Sequence, residues 1–472
     1  MSDPQVFDFV VLGGGSAGYG AASTAVRLGL KVAVIEGGEA VGGLCILRGC
    51  MPSKTLLESG HRAAEIRRAA EFGLQADYRG ADGAAILARK RRLIGEFAQF
   101  RREQLETGPF AFIRGRARFT DPHTVEIALT AGGTQTVRGR TFLIATGSEI
   151  RWVDLPGLRE VGVLTSDQVL DSERIPKSVV ILGAGPTGLE FASYFAGLGT
   201  EVTVVQRSQR ILRGVDYDVS EALQKALTAR GIRFFTETAL RRLERAGPLK
   251  RACFDHCDQG DCFAEAEEIV YALGRQPASA GLGLEHAGVE LTRHGAVRAN
   301  SRQQTAAPHI FAAGDVAGPY EIVHIAVQQA EIAARNAARL LSGDAATLEE
   351  IDYTLKLFAV FTHPQVASVG LTACEAKELG LSFAQACYPF NDHGKSMVRG
   401  ETEGFVKLLA AGPERKLIGG AVIGPEAAEL IHEIVVAMRF GATAQQLATT
   451  PHYHPTLSEI WTYPAEALAM AE

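Results

Sequence analysis

Residues 6–36 read VFDFVVLGGGSAGYGAASTAVRLGLKVAVIE, and this stretch decides the fold. Val6–Leu12 is a short apolar run that enters glycine, Ala17–Leu28 has helical spacing, and Lys31–Ile35 is a second apolar run. Strand, turn, helix and strand in that order open a doubly wound parallel sheet. The glycines fall as Gly13-x-Gly15-x-x-Gly18. Without side chains there, the backbone turns tightly and a pyrophosphate can approach the helix N-terminus. Glu36, eighteen residues after Gly18, ends the second strand, where a carboxylate can accept hydrogen bonds from a ribose. A lone glycine pattern is weak; the strand before it, the helix after it and the acid in place make it specific.

The pattern restarts about 170 residues on. Ser178–Leu182 runs into Gly183-x-Gly185-x-x-Gly188, Glu190–Leu198 is helical and Glu201–Val205 is apolar again. Two such units are an internal repeat of nucleotide-binding domains. Here the second strand ends in Gln206, not an acid, with Arg207 next and Arg213 six further on. An arginine at this place can pair with a 2′-phosphate that an acid would repel. That favours NADP(H) over NAD(H), although on spacing alone both arginines also read as surface charges.

Between the repeats lies Gly42-Gly43-Leu44-Cys45-Ile46-Leu47-Arg48-Gly49-Cys50-Met51-Pro52-Ser53-Lys54. Pro52 suits the first turn of a helix, and a thiolate at that terminus is stabilised by backbone N–H groups and the dipole. Lys54 adds a cation one turn in. A low-pKa thiol beside a partner cysteine suits reversible disulfide exchange; two unpaired core cysteines are the plainer alternative. A metal centre is not expected, since no second pair has suitable spacing. Cys253, Cys257 and Cys262 cluster around His256 in a polar hairpin-like stretch and read mostly as surface thiols.

The bulk composition is that of a soluble, multidomain protein: 472 residues, 46% hydrophobic and 22% charged. Net charge is −6, which offers no footprint for nucleic acid or an anionic membrane. Arg89-Lys90-Arg91-Arg92 and Arg62, Arg67 and Arg68 read as solvated helix faces. Seven cysteines, an odd and scattered set, do not make a secreted disulfide framework. Acids at Asp3 and Asp8 before an early glycine argue against a signal peptide, and no apolar run approaches the ~20 residues of a membrane span. A cytoplasmic protein is the expectation. Helices are expected over about 53–73 and 84–107, with strands near 111–127 and 136–144. Composition changes from about Thr347, where Phe358–Phe361, Phe405–Leu409 and Ala421–Ile423 look strand-like.

The cysteine segment closely resembles the signature of the class I pyridine-nucleotide disulfide oxidoreductases, which include lipoamide dehydrogenase, glutathione reductase and mercuric reductase. Later landmarks agree: Ala145-Thr146-Gly147, Leu273-Gly274-Arg275-x-Pro277, Ala313-Gly314-Asp315, Phe361-Thr362-His363-Pro364 and His454-Pro455-Thr456-Leu457-Ser458-Glu459. The implied fold is α/β, with two doubly wound nucleotide-binding domains for FAD and NAD(P) and a C-terminal α+β dimerisation domain. The implied domains are FAD binding at 1–150 and 278–346, NAD(P) binding at 151–277 and dimerisation at 347–472. The resemblance implies a flavin-to-disulfide relay, with Cys50 nearer the flavin and Cys45 exchanging with substrate. Taken alone, His454 reads more readily as structural; the resemblance makes it an acid–base group oriented by Glu459 that acts across a homodimer interface. Lys54 and Glu190 are the implied ion pair beside the flavin. Further cofactor contacts are implied at Gly43, Ala117, Thr146, Gly147, Gly274, Gly314, Asp315 and Val323.

Within the family, mercuric reductase is disfavoured, because 465–472 carries no cysteine pair and His454 is present. Pro52-Ser53-Lys54, the His452/His454 doublet and His324 lean towards a dihydrolipoamide dehydrogenase-like enzyme acting on a small or lipoyl-type disulfide. A reductase of another low-molecular-weight disulfide using NADPH is the alternative, followed by a soluble transhydrogenase or a redox sensor. Leu47 stands where the family core carries asparagine, and Arg48 adds a cation to the same loop.

Overall fold

The computed structural model describes residues 5–470. Asp3, and Ala471 and Glu472 of the C-terminal run, lie outside them. The chain divides into two compact units. The first comprises 5–52, 89–152 and 274–352; the second comprises 53–88, 153–273 and 353–470. Residues 53–88 thus group with the second nucleotide repeat by compactness, whereas the expected division counts them with the first.

In the first unit, Gln5–Leu12 pairs in parallel with Val32–Glu36 on one side and Thr134–Ile144 on the other. Ala111–Asp121 extends the sheet beyond Val32–Glu36, and Ile310–Ala312 lies beside Thr134–Ile144. The centres of the apolar runs are covered on both faces, as parallel strands require: Phe9, Val10 and Val11 are 0% exposed. The helices Ser16–Arg27 and Val323–Leu341 press alanines against one face. The stretch expected as one strand over 111–127 is two, Ala111–Asp121 and Thr124–Leu129. Asp121 Oδ1 accepts the His123 N–H at 2.8 Å and turns the chain between them.

The second unit repeats the motif. Ser178–Leu182 pairs in parallel with Glu201–Val205 and Glu268–Tyr271, with Arg233–Phe235 and Leu164–Thr165 at the edges. Its C-terminal part is an antiparallel sheet in the order Leu357–Val360, Gln365–Gly370, Lys416–Gly424, Phe405–Ala411, Phe383–Pro389. Ala427–Arg439 lies against it with Leu430, Ile431 and Ile434 in the core.

Four sequence expectations are corrected. The helix expected from Ser53 starts at Cys50 and runs to Arg68; Pro52 is tolerated third in line because first-turn N–H groups need no helical acceptor. Lys90 is 4% exposed, falling on the same helical stripe as Leu87 and Ile94, while Arg89, Arg91 and Arg92 are exposed. Arg67 and Arg68 are not simply solvated either. Arg67 stacks over Tyr78 at 4.0 Å, and Arg68 donates to the Gly400 carbonyl. Cys253 is buried, because it sits in the middle strand of the sheet formed by Thr238–Ala246, Leu249–His256 and Gly260–Ala266; Cys257, at the hairpin tip, is exposed. Ligand atoms of His256, Cys257 and Asp258 lie within 4.8 Å of one another at that tip. Among the described residues no helix is long and apolar enough to cross a membrane.

Candidate active site

Each glycine turn is held shut by the side chain that ends its second strand. In the first unit Glu36 Oε2 accepts the Gly14 N–H at 2.8 Å, and Oε1 accepts the Gly38 N–H at 2.5 Å. A Cβ on Gly18 would lie 1.8 Å from the Gly13 carbonyl oxygen, so helix and turn are in backbone contact. The N-cap of Ser16–Arg27 is Gly15, which supplies no side-chain cap, leaving the first N–H groups open to an anion. In the second unit Gln206 Oε1 accepts the Ala184 N–H at 3.0 Å, a Cβ on Gly188 would meet Gly183 O at 2.1 Å, and Gly185 caps Pro186–Leu198 without a side chain. Arg207 and Arg213 are exposed.

The cysteines stand close to the first turn. Cys45 lies in the short helix Gly43–Arg48, and Cys50 is the first residue of the 19-residue helix Cys50–Arg68. A Cβ on Gly43 would lie 2.5 Å from Gly15 Cα, and Gly43 sits at φ +72. Only two glycines allow that approach. Leu47 packs towards Gly42, whose added Cβ would meet Leu47 Cγ at 3.2 Å. A hydrophobic contact thus replaces the polar side chain expected there.

Several implied cofactor residues converge in the first unit. Asp315 Oδ2 accepts from Ser148 Oγ at 2.6 Å, and Ser148 receives Arg275 Nε at 2.9 Å. Gly314 N donates to the buried Gln329 Oε1 at 2.7 Å, and Thr146 Oγ1 donates to Ala278 O at 2.8 Å. Gly147 and Gly274 both adopt positive φ. Val323 begins a helix, and Ala117 sits half-buried opposite Ile127. Burial raises the Glu321 carboxyl above its ordinary range, with Asp315 adding to the effect. Two adjacent glycine backbones, an uncapped helix N-terminus and the neighbouring acids Asp315 and Glu321 fit a ligand with a pyrophosphate and several hydroxyls, as FAD has. In the same unit, Arg101 Nε and Nη1 are buried with no hydrogen-bond partner among the described residues.

The second unit holds the other implied groups. Lys54 Nζ donates to both Glu190 oxygens at 2.8 and 2.9 Å across 136 residues of sequence. It also sits 4.7 Å from the Phe361 ring centroid, and the Phe361 N–H donates to Glu190 Oε1 at 3.0 Å. Glu190 is therefore a buried carboxylate that accepts three hydrogen bonds from two groups, as a buried charge requires. His454 Nδ1 is 3.0 Å from Glu459 Oε2; the histidine side chain is 79% exposed and the glutamate 12%. The imidazole thus presents Nε2 outward while its other nitrogen is fixed. His452 pairs with Glu433 at 2.6 Å.

Sequence reading missed His393. It is fully buried, 3.5 Å from the other Glu459 oxygen without hydrogen-bond geometry, and its Nδ1 is 2.8 Å from Ser396 Oγ. Burial lowers its pKa and Glu459 works the other way. A single histidine in a loop carries no pattern to find it by. Arg101 was missed for the same reason, being one arginine in a basic helix.

Two sequence profiles match: the pyridine nucleotide-disulphide oxidoreductase profile over 7–330 and the dimerisation-domain profile of the same group over 358–465. The chain belongs to the pyridine nucleotide-disulphide oxidoreductase family, and it is an FAD-dependent disulfide oxidoreductase of the dihydrolipoyl dehydrogenase-like kind. It is 34% identical over 461 residues to a dihydrolipoyl dehydrogenase of Chlamydia muridarum, covering 97% of this chain and 96% of that one. A mercuric reductase of Bacillus cereus is also 34% identical, covering 96% of this chain and 70% of its own length. Among solved structures, LpdA from Mycobacterium tuberculosis superposes with a TM-score of 0.87 at 28% identity, covering 98% of this chain and 99% of that one. The HOCl-induced flavoprotein disulfide reductase RclA from Escherichia coli gives 0.84 at 26%, covering 97% and 99%.

Proposed function

We propose that the chain is an NADPH-preferring, dihydrolipoamide dehydrogenase-like enzyme that reduces a small or lipoyl-type disulfide, or oxidises the dithiol in reverse, as a cytoplasmic homodimer. The observation that carries this is the contact of Gly43 on Gly15, which brings the cysteine-bearing helix onto the first nucleotide turn. In this reading residues 1–150 and 278–346 bind FAD, 151–277 bind the nicotinamide nucleotide and 347–472 dimerise. FAD, when bound, supplies two-electron transfer between the nicotinamide and the cysteine pair.

The chain's own residues do the rest. The Cys45 thiolate attacks one sulfur of the substrate disulfide, that S–S bond breaks, and the leaving thiolate takes a proton from His454 of the partner subunit. The Cys50 thiolate then attacks Cys45, the mixed disulfide breaks, the second half leaves as a thiolate that takes its proton from solvent, and the Cys45–Cys50 disulfide re-forms. Glu459 holds the imidazole in orientation, and the helix N-terminus stabilises the Cys50 thiolate. Glu190 fixes the Lys54 ammonium, which would help to hold the flavin. Gln206 in place of an acid, with Arg207 and Arg213 free to reach a 2′-phosphate, supports NADPH. His454, held by Glu459, supports a disulfide rather than mercuric ion as substrate, since sequence identity alone does not separate the two groups of relatives.

Anaerobic titration with NADPH and separately NADH, then re-oxidation by lipoamide, oxidised glutathione and related disulfides, tests the proposal. Reduction by NADPH with new long-wavelength absorbance, reversed by one disulfide, is expected. Direct bleaching that no disulfide reverses overturns it.

A further inference from the structure

We infer that Arg101, with Gln104 one turn on, forms an anion-recognising subsite beside Cys45, so that the substrate is a low-molecular-weight disulfide carrying a carboxylate near its sulfur. This deepens the disulfide-oxidoreductase reading and rests on it. The helix Gly83–Glu106 brings its last turns to the first glycine turn: a Cβ on Gly14 would lie 3.3 Å from Leu105 Cδ1. Gly43, at the start of the Cys45 helix, touches Gly15 of the same turn. Arg101 and Cys45 are therefore carried by two elements that meet at one place.

The chemistry of Arg101 is unusual there. Its guanidinium lies 4.0 Å over the Tyr19 ring, which attracts the face of the cation but leaves its edge N–H groups unserved. Nε and Nη1 are buried with no hydrogen-bond partner among the described residues, and so is Gln104 Oε1. A buried guanidinium normally keeps a carboxylate or carbonyls around its donors. Burial pushes the Arg101 pKa down, and the negative potential of Tyr19 and Cys45 acts against that, so cation and thiol feel one another. Two idle donors suit a carboxylate, and the Gln104 oxygen suits an N–H or O–H group next to it. Lipoamide, neutral at its amide, would satisfy neither donor with a charge.

The test compares 3,3′-dithiodipropionate with its diamide as oxidants of the holoenzyme, for wild type, Arg101→Gln and Arg101→Lys. The wild type is expected to favour the dicarboxylate in kcat/KM. The acid-to-amide ratio should fall about 10- to 100-fold in Arg101→Gln, mainly through KM, and recover in part in Arg101→Lys. A ratio that stays within about twofold overturns the inference, as does loss of bound FAD from the purified variant, which would make Arg101 a cofactor ligand. Should Arg101→Gln not fold, the wild-type ratio still decides, because a preference for the diamide excludes the subsite. Failure of both NADH and NADPH to reduce wild-type flavin would instead sink the underlying enzyme reading, and the two failures are distinct.

Discussion

Acidification should loosen the unit that carries Lys54 and Glu190, and His363 is the main cause. Burial holds its imidazole neutral, down at about 3 against an ordinary 6.5, with the positive potential of Arg230, His61 and Arg68 adding to the effect. A folded pKa below the unfolded one means that the unfolded chain takes up the proton first. The stability is therefore complete above about pH 6.5 and is lost as pH falls through the window below it. Integrated from about pH 7 to about pH 5, one such group costs about 2 kcal/mol. His61, 5.5 Å away between ring centroids and also lowered by burial, shifts stability in the same direction. The effect should reach the site, because Phe361, two residues before His363, anchors Glu190 through its N–H. The assay is urea unfolding at both pH values, followed by fluorescence of Trp461, which is 0% exposed, in a Trp152→Phe background that removes the exposed reporter. His363→Asn should lose about 2 kcal/mol less on acidification than its parent. Identical pH dependence in both would refute the assignment.

Other outcomes follow from the same geometry. His454→Ala should slow thiol exchange by about 10²–10⁴-fold while nicotinamide-driven flavin reduction proceeds; near-normal turnover would remove His454 from the proton path. Gly43→Ala puts a methyl carbon 2.5 Å from Gly15 Cα at a positive φ, so purified protein should carry little FAD, and full flavin content would show that this contact can open. Arg207→Glu should move preference from NADPH towards NADH, measured as the ratio of kcat/KM values, and an unchanged ratio would sink the phosphate-pairing role.

Long-range pairing is where sequence reading ran short. The strands Ser178–Leu182 and Glu201–Val205 were legible to the residue because continuous apolar runs bounded by glycine leave one reading. Glu36 and Gln206 were legible as positions, but not their use: both side chains turn back to clasp the backbone of their own glycine turns. Lys54 and Glu190 were joined only through family resemblance, since nothing local ties residues 136 apart. Lys90 misled because a run of four cations hides the helical stripe on which the second one falls. His393 and Arg101 act through burial, and burial of a lone polar side chain depends on elements brought in from elsewhere in the chain.

The two glycine turns show how geometry and charge separate. Glu36 and Gln206 do the same mechanical task, each accepting an N–H from the residue after the first glycine, at 2.8 and 3.0 Å. Each third glycine is forced by the carbonyl of the first, with a Cβ standing 1.8 Å and 2.1 Å away. The turn therefore needs an acceptor at the strand end and is indifferent to whether that acceptor is charged. Charge is free to serve the ligand. A carboxylate at Glu36 clasps the turn and still presents a negative oxygen suited to ribose hydroxyls, whereas the Gln206 amide clasps it with no negative charge to repel a phosphate. In the proposed NADPH reading, Arg207 and Arg213, exposed on the loop that follows, add attraction where repulsion has already been removed. The proposed preference for NADPH therefore rests on what the second turn lacks as much as on what it holds.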